Sequence, residues 1–160
     1  KNHIHFKKWL KSECLKKDPF FYSIYSKRLQ QYCGMASYLR IVPKHGSIEV
    51  GHINYSPTLQ NTVEGTETMY LMMLNAFENL GNRRYEWKCN NLNTDSKKAA
   101  YRLGFKYEGV FRQMFVFKGR NRDSAWFSII DKEWKKIKPK FKKYLKPSNF
   151  DINYRQLKKL

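Results

Sequence analysis

Asn93-Thr94-Asp95-Ser96-Lys97-Lys98-Ala99-Ala100-Tyr101-Arg102-Leu103-Gly104-Phe105 is the stretch on which the fold turns. Asn, Thr and Ser are good capping residues, so the stretch opens as a helix start, and Gly104 stands where the helix needs a positive φ to stop. Immediately before it, residues 84–89 alternate as a strand does, with Tyr85, Trp87 and Cys89 on one face and Arg84, Glu86 and Lys88 on the other. One helix earlier, Gln60-Asn61-Thr62-Val63-Glu64-Gly65-Thr66 joins a strand candidate over 47–55 to a long helix over 62–80. Met69, Met72, Met73, Ala76, Phe77 and Leu80 share one face of that helix, and Gly81 ends it. A strand-to-helix junction leaves about four backbone N–H groups without partners at the positive end of the helix dipole. A pyrophosphate can take those donors without any basic side chain. Either stretch alone also reads as a plain capped helix start; together, one strand apart, they are more specific.

Working outward, residues 6–15 place Phe6, Trp9, Leu10 and Cys14 at helical spacing. Residues 20–27 and 33–41 read as strands, and Lys44-His45-Gly46 as the turn into the strand 47–55. Beyond Gly104, aromatic strands are predicted at 107–117 and 124–130, joined by the polar turn Gly119-Arg120-Asn121-Arg122-Asp123. A basic helix over 131–144 ends before Pro147. The order is helix, three strands, helix, strand, helix, two strands, helix. It predicts an α/β (α+β) fold, a mixed, mostly antiparallel sheet flanked by helices. No repeat or low-complexity linker divides the chain, so one domain over 1–134 is expected, followed by a basic C-terminal helix and tail over 135–160.

The 160 residues are 41% hydrophobic and 16% aromatic, which suits one core built largely of Phe, Tyr and Trp. No apolar run approaches the roughly 20 residues that span a bilayer, so no membrane span is expected. Three cysteines stand far apart without a Cys-x-x-Cys pair, and four histidines show no ligand spacing. That pattern suits reduced thiols, a cytoplasmic location and no metal. The net charge is +19, of which residues 135–160 carry +9. Such a tail suits RNA, a ribosome or an acidic membrane surface, and reads equally as Lys-rich decoration of solvated faces.

From about Asp18 to Trp134 the sequence resembles the GNAT acetyltransferases, in particular the RimJ/RimL-like branch. The stretches that carry the likeness are Ile48-Glu49-Val50-Gly51-His52-Ile53-Asn54-Tyr55-Ser56-Pro57, the Gln60 to Glu67 loop, Asn93 to Phe105, and Gly119 to Ser128. The resemblance implies acetyl-CoA as cosubstrate and an amine as acceptor, a protein N-terminus or a small molecule. It implies that the strand through Ile53, Asn54 and Tyr55 splays from the strand 84–89 and admits the pantetheine arm. By the same likeness, the backbone of Gln60, Thr62, Val63, Gly65 and Thr66 would hold the pyrophosphate, and Asn93 would bond the pantetheine. Ser96 would lie near the thioester sulfur, and a backbone N–H near Tyr55 would face the oxyanion. The family's first strand and much of its first helix have no counterpart before Lys1.

Two positions depart from the family pattern. Val63 replaces the first Gly of the phosphate loop, and because Val tolerates positive φ poorly, the loop is expected to be helical there. Ala100 stands where many members carry a Tyr that protonates the departing thiolate, while Tyr101 points about 100° away around a helix. Ser96, or a water it holds, is therefore the expected acid. The attacking ammonium must first lose a proton, for which Glu49 is the first candidate and Glu86 the second. Each also reads as a strand carboxylate paired with Lys or Arg. His52 could accept a proton as well, but reads first as a packed strand histidine. The alternatives to a transferase are a catalytically silent CoA-binding domain and a basic RNA- or ribosome-binding module.

Overall fold

The computed structural model describes residues 2–153 and 155–160. Its centre is a six-stranded sheet formed by β1 (Phe20–Ser26), β2 (Gln31–Val42), β3 (Ser47–Tyr55), β4 (Arg84–Asn90), β5 (Lys106–Phe117) and β6 (Arg120–Ile130). The order across the sheet is β1-β2-β3-β4-β6-β5, and only β3 and β4 run parallel. A parallel neighbour needs a crossover connection, and α2 (Val63–Leu74) supplies it. The remaining helices are α1 (His3–Trp9), α3 (Thr94–Arg102) and α4 (Asp131–Tyr144). The mixed, mostly antiparallel sheet flanked by helices is the fold class that the sequence pattern predicts.

Alternation along the strands decides which side chains meet which helix. Tyr85, Trp87 and Cys89 of β4 are buried with Ile48 and Val50 of β3 and Phe127 and Ile129 of β6. Against this face lie Met69, Met72, Met73, Ala76 and Phe77. Tyr38 of β2 ties that layer to the sheet by donating its hydroxyl to the Met72 carbonyl at 2.6 Å. Burial pushes the Tyr38 phenol up to about 12, against a smaller opposite pull from the Asn75 amide. The core is aromatic, as the composition suggests: Phe77 stacks on Trp134 at 5.3 Å and Tyr85 on Phe105 at 5.7 Å.

The helix 62–80 differs in its last turns. The α-helical part ends at Leu74 and a wider π turn follows over Asn75–Asn79. An added residue per turn shifts the phase of the buried face, so Phe77 stays inside while Leu80 is exposed. Gly81 has the positive φ expected of it, +66°. The N-terminal helix likewise widens, over Leu10–Cys14, and Phe6 lies exposed instead of buried. The predicted turn 119–123 is much tighter. Lys118 and Gly119 both take positive φ, +52° and +72°, as a two-residue type I′ hairpin requires. Arg120 to Asp123 are therefore strand, with Phe117 opposite Arg120.

The basic helix α4 closes the chain onto the same core. Trp134, Phe141 and Tyr144 are buried, and Phe141 stacks on Tyr70 of α2 at 5.5 Å. The Trp134 indole and the Lys138 ammonium both donate to Glu78. Lysines 135, 136, 140, 142 and 143 occupy the outer side, where they leave the packing undisturbed.

Phe141→Ala empties a fully enclosed site, and truncations of that kind cost about 3–5 kcal/mol. The urea midpoint should fall accordingly, whereas Lys140→Ala on the outer side should move it by under about 0.5 kcal/mol.

Candidate active site

The two parallel strands part company. β3 and β4 pair from Ser47 opposite Arg84 to Val50 opposite Trp87, and no further. Beyond that point β3 stays with β2, where Tyr55 faces Gly34, and β4 stays with β6, where Asn90 faces Ser124. A bulge drives the separation. The register passes from Ser37 opposite Gly51 to Met35 opposite Asn54, so β3 spends one residue more than β2. His52 within the bulge has φ of +47°. The result is a wedge with unpaired backbone on both walls, at the carboxyl ends of adjacent parallel strands. Open sheets with parallel strands bind ligands at such crevices.

Both chains leaving the wedge enter helices. At α2, Thr62 is the N-cap and its hydroxyl accepts the Gly65 N–H at 3.1 Å. Val63 is the first helical residue, as expected of a β-branched side chain there, and the positive φ falls on Asn61, at +59°. Gly65 is required by space: a Cβ there would stand 2.8 Å from the Leu59 carbonyl oxygen and 3.2 Å from the Tyr55 ring. Tyr55 donates its hydroxyl to the Gly65 carbonyl at 3.0 Å, and the Gln60 side-chain amide donates to the Tyr55 carbonyl at 3.0 Å. Thr66 accepts from Arg102 of α3 at 3.1 Å. Among the described residues the backbone N–H groups of Val63 and Glu64 have no partner, which leaves an anion-binding start on the helix. Glu64 would oppose an anion, but it is paired with Arg28 at 2.5 Å. A groove of about 1280 Å³ runs past Asn61, Thr62, Val63, Thr66 and Arg102.

At α3, the Asn93 side chain is the cap, accepting the Ser96 N–H at 2.9 Å. Ser96 in turn accepts the Trp87 indole N–H at 3.0 Å. That bond fills an oxygen lone pair and leaves the hydroxyl proton free to be donated. Ala100 is fully buried, and Tyr101 is exposed with its ring edge-on to Phe127 at 5.3 Å. The predicted cofactor residues Tyr55, Gln60, Thr62, Gly65 and Thr66 thus form one hydrogen-bonded group, and Asn93 bonds the backbone of Ser96, the expected acid. Ile53 packs half-buried on the core, and Asn54 is exposed. Trp87 and Arg102 carry no signal of a site role in the sequence, although a buried indole N–H usually finds an acceptor.

Glu49 lies on the other face of the sheet, in a buried ion network. Its Oε2 accepts from Arg40 at 2.8 Å and Lys88 at 2.7 Å, and its side chain is 5% exposed. Lys88 also bonds Glu86 at 2.7 Å and stands 3.6 Å over the Trp126 ring. Arg84 bridges Glu86 at 2.7 Å and Glu108 at 2.5 Å. Burial alone would raise the Glu86 carboxyl, but the bonds from Lys88 and Arg84 outweigh it and hold it below its ordinary value. The Arg84 bond lowers Glu108 against a smaller effect of burial. Among the described residues no group of three or more His, Cys, Asp or Glu could hold a metal ion, and no helix is long and apolar enough to cross a membrane.

Depressed folded values mean that Glu86 and Glu108 stabilise the protein above the unfolded carboxylate range and lose that contribution as pH falls through the folded values. The melting temperature should therefore decline as pH drops below about 4.5, and Glu86→Gln should flatten that decline while lowering stability at neutral pH.

No protein-family model matches the sequence, and no curated protein matches it. Solved structures do. A GCN5-related N-acetyltransferase from Brucella melitensis is 41% identical, with a TM-score of 0.96 over 99% of this chain and 72% of that one. A probable acetyltransferase of the GNAT family from Chromobacterium violaceum ATCC 12472 is also 41% identical, with a TM-score of 0.80 over 84% of this chain and 68% of that one. A chain from Vibrio cholerae named as a ribosomal-protein-serine acetyltransferase shares the fold at 21% identity, with a TM-score of 0.67 over 79% of this chain and 72% of that one. With a parted β3–β4 pair, a capped helix start at each wall and relatives this similar along nearly its whole length, the chain belongs to the GCN5-related N-acetyltransferase family.

Proposed function

We propose that the chain transfers the acetyl group of acetyl-CoA to an amine by direct attack, as a member of the RimJ/RimL-like branch, with no covalent intermediate on the protein. The observation that carries this reading is the wedge: two strand edges with free backbone groups and a helix start at the end of each wall. The pantetheine arm fits between Ile53, Asn54 and Tyr55 on one side and β4 on the other, bonding as an added strand bonds. The pyrophosphate fits the free N–H groups of Val63 and Glu64, in the loop that Gln60, Thr62, Gly65 and Thr66 shape. Asn93, whose side-chain oxygen caps α3, bonds the pantetheine from the other wall.

Acetyl-CoA supplies an acetyl carbon already activated as a thioester, so the protein has three tasks. It must orient the acceptor, accept a proton from the ammonium and return one to the sulfur. Ser96, with its oxygen held by Trp87 and its proton free, is the group for the last task. Backbone N–H groups of β3 past the bulge supply the oxyanion donors, a contribution of about 3 kcal/mol in other acyl transfers. The acceptor is a protein N-terminus or a small amine, as in the RimJ/RimL-like branch. The exposed lysines of α4 suit the anionic surroundings of a ribosomal substrate.

The test is thiol release from acetyl-CoA across a panel of peptide N-termini and small amines, beside direct measurement of CoA binding. Amine-dependent release supports the transferase, whereas CoA binding without release with any amine identifies a silent CoA-binding domain. Ser96→Ala should lower kcat about 10²-fold while leaving CoA affinity unchanged, and a kcat equal to that of the unaltered chain would assign the sulfur's proton to water.

A further inference from the structure

Ser37 of β2 and His52 of β3 make a contact that fixes where one proton sits. The Ser37 Oγ lies 2.8 Å from His52 Nδ1 and 3.2 Å from the Gly51 carbonyl oxygen. A hydroxyl has a single proton, and a carbonyl can only accept. Both contacts are satisfied in one way: Ser37 donates to Gly51, and His52 Nδ1–H donates to Ser37. The Nδ1–H tautomer leaves the Nε2 lone pair bare. Ser37 is fully buried, so bulk water does not compete for this arrangement.

The ring's place in the fold is equally specific. His52 belongs to the bulge where β3 leaves β4, two residues past the last pair at Val50, and it is exposed. Phe21 packs against the imidazole at 5.1 Å and is itself braced by Trp9 of α1 at 6.0 Å. The ring is thus held on the β2 side by Ser37 and Phe21, beside the bulge at which β3 turns away from β4, and Nε2 has no hydrogen-bond partner among the described residues. Glu49 stands on the same face, Leu39 facing Glu49 and Ser37 facing Gly51 along one strand pair. Its Oε2 is already shared by Arg40 and Lys88, and its side chain is 5% exposed. Of the two residues, His52 is the exposed one.

We propose that His52 Nε2 is the proton acceptor for the attacking amine, with Ser37 as the residue that sets its tautomer. This rests on the acetyl-transfer reading above. The ammonium N–H bond breaks and its proton passes to Nε2, forming imidazolium. The freed nitrogen lone pair bonds the acetyl carbon as the C–S bond breaks. The proton that the new amide nitrogen must still lose goes to the sulfur through the Ser96 hydroxyl, which takes one and gives one. Imidazolium returns its proton to solvent on its exposed side.

The experiment combines nitrogen-15 NMR of the histidine rings with steady-state thiol release, on the full chain. The neutral His52 ring should show Nδ1 protonated and Nε2 bare, and Ser37→Ala should shift it toward the opposite tautomer. His52→Gln should lower kcat about 10²-fold with CoA affinity and the KM for acetyl-CoA unchanged. His52→Gly, whose backbone suits φ of +47°, should lose the same activity and regain part of it on addition of imidazole. A bare Nδ1 in the unaltered chain overturns the proposal, as does a His52→Gln kcat equal to that of the unaltered chain, with Glu49→Gln then the variant that loses turnover. No thiol release by the unaltered chain with any amine overturns the transfer reading and the base role together. That outcome is told apart from failure of His52 alone by the activity of the unaltered chain.

Discussion

Everything the site can do follows from four residue pairs between β3 and β4. Parallel strands normally continue side by side as long as hydrogen bonding rewards them. Here the bulge at Gly51 and His52 turns β3 aside after Val50, and neither strand finds a new neighbour on that side. The unpaired edges persist because each strand is secured on its other edge, β3 by β2 and β4 by seven pairs to β6. A sheet that would otherwise be continuous therefore carries a crevice at its centre, with two helix starts at its mouth.

Packing holds that crevice open. Gly65 lets α2 approach Leu59 and Tyr55 closely, and Tyr55 bonds the helix carbonyl that results. Thr66 and Arg102 tie the first turn of α2 to the last turn of α3. On the opposite face, the ion network of Glu49, Lys88, Glu86 and Arg84 joins the paired part of β3 and β4. Replacing one member of such a network leaves a buried charge without its partner, so the network fixes strand position as much as it sets local charge. α4 contributes through Phe141 and Trp134 to the core while its lysines face outward.

Much of this was legible in the sequence, because it depended on periodicity and on local capping. The strict alternation of residues 84–89 placed Tyr85, Trp87 and Cys89 inward, and Asn93 and Thr62 are the caps of the helices they precede. The helical state of Val63 followed from its branched side chain. What the sequence hid was anything decided between distant segments. Nothing local announces that Trp87 will meet Ser96, that Glu49 will lie between Arg40 and Lys88, or that Ser37 will orient His52. His52 read as a packed strand residue because the bulge that brings it to the surface is a mismatch between two strands, and neither strand shows it alone. The hairpin at Lys118 and Gly119 was read too long because its polar strand end imitates a turn.

The central claim is that acetyl-CoA lies in the wedge, bonded to the free backbone of β3 and to the start of α2. Amide hydrogen exchange of the full chain with and without CoA tests it most directly. The account predicts slowed exchange at residues 53–55 and at Val63 and Glu64, with the β5–β6 hairpin unchanged. CoA binding that leaves residues 53–55 and the first turn of α2 exchanging at their free rates would contradict it.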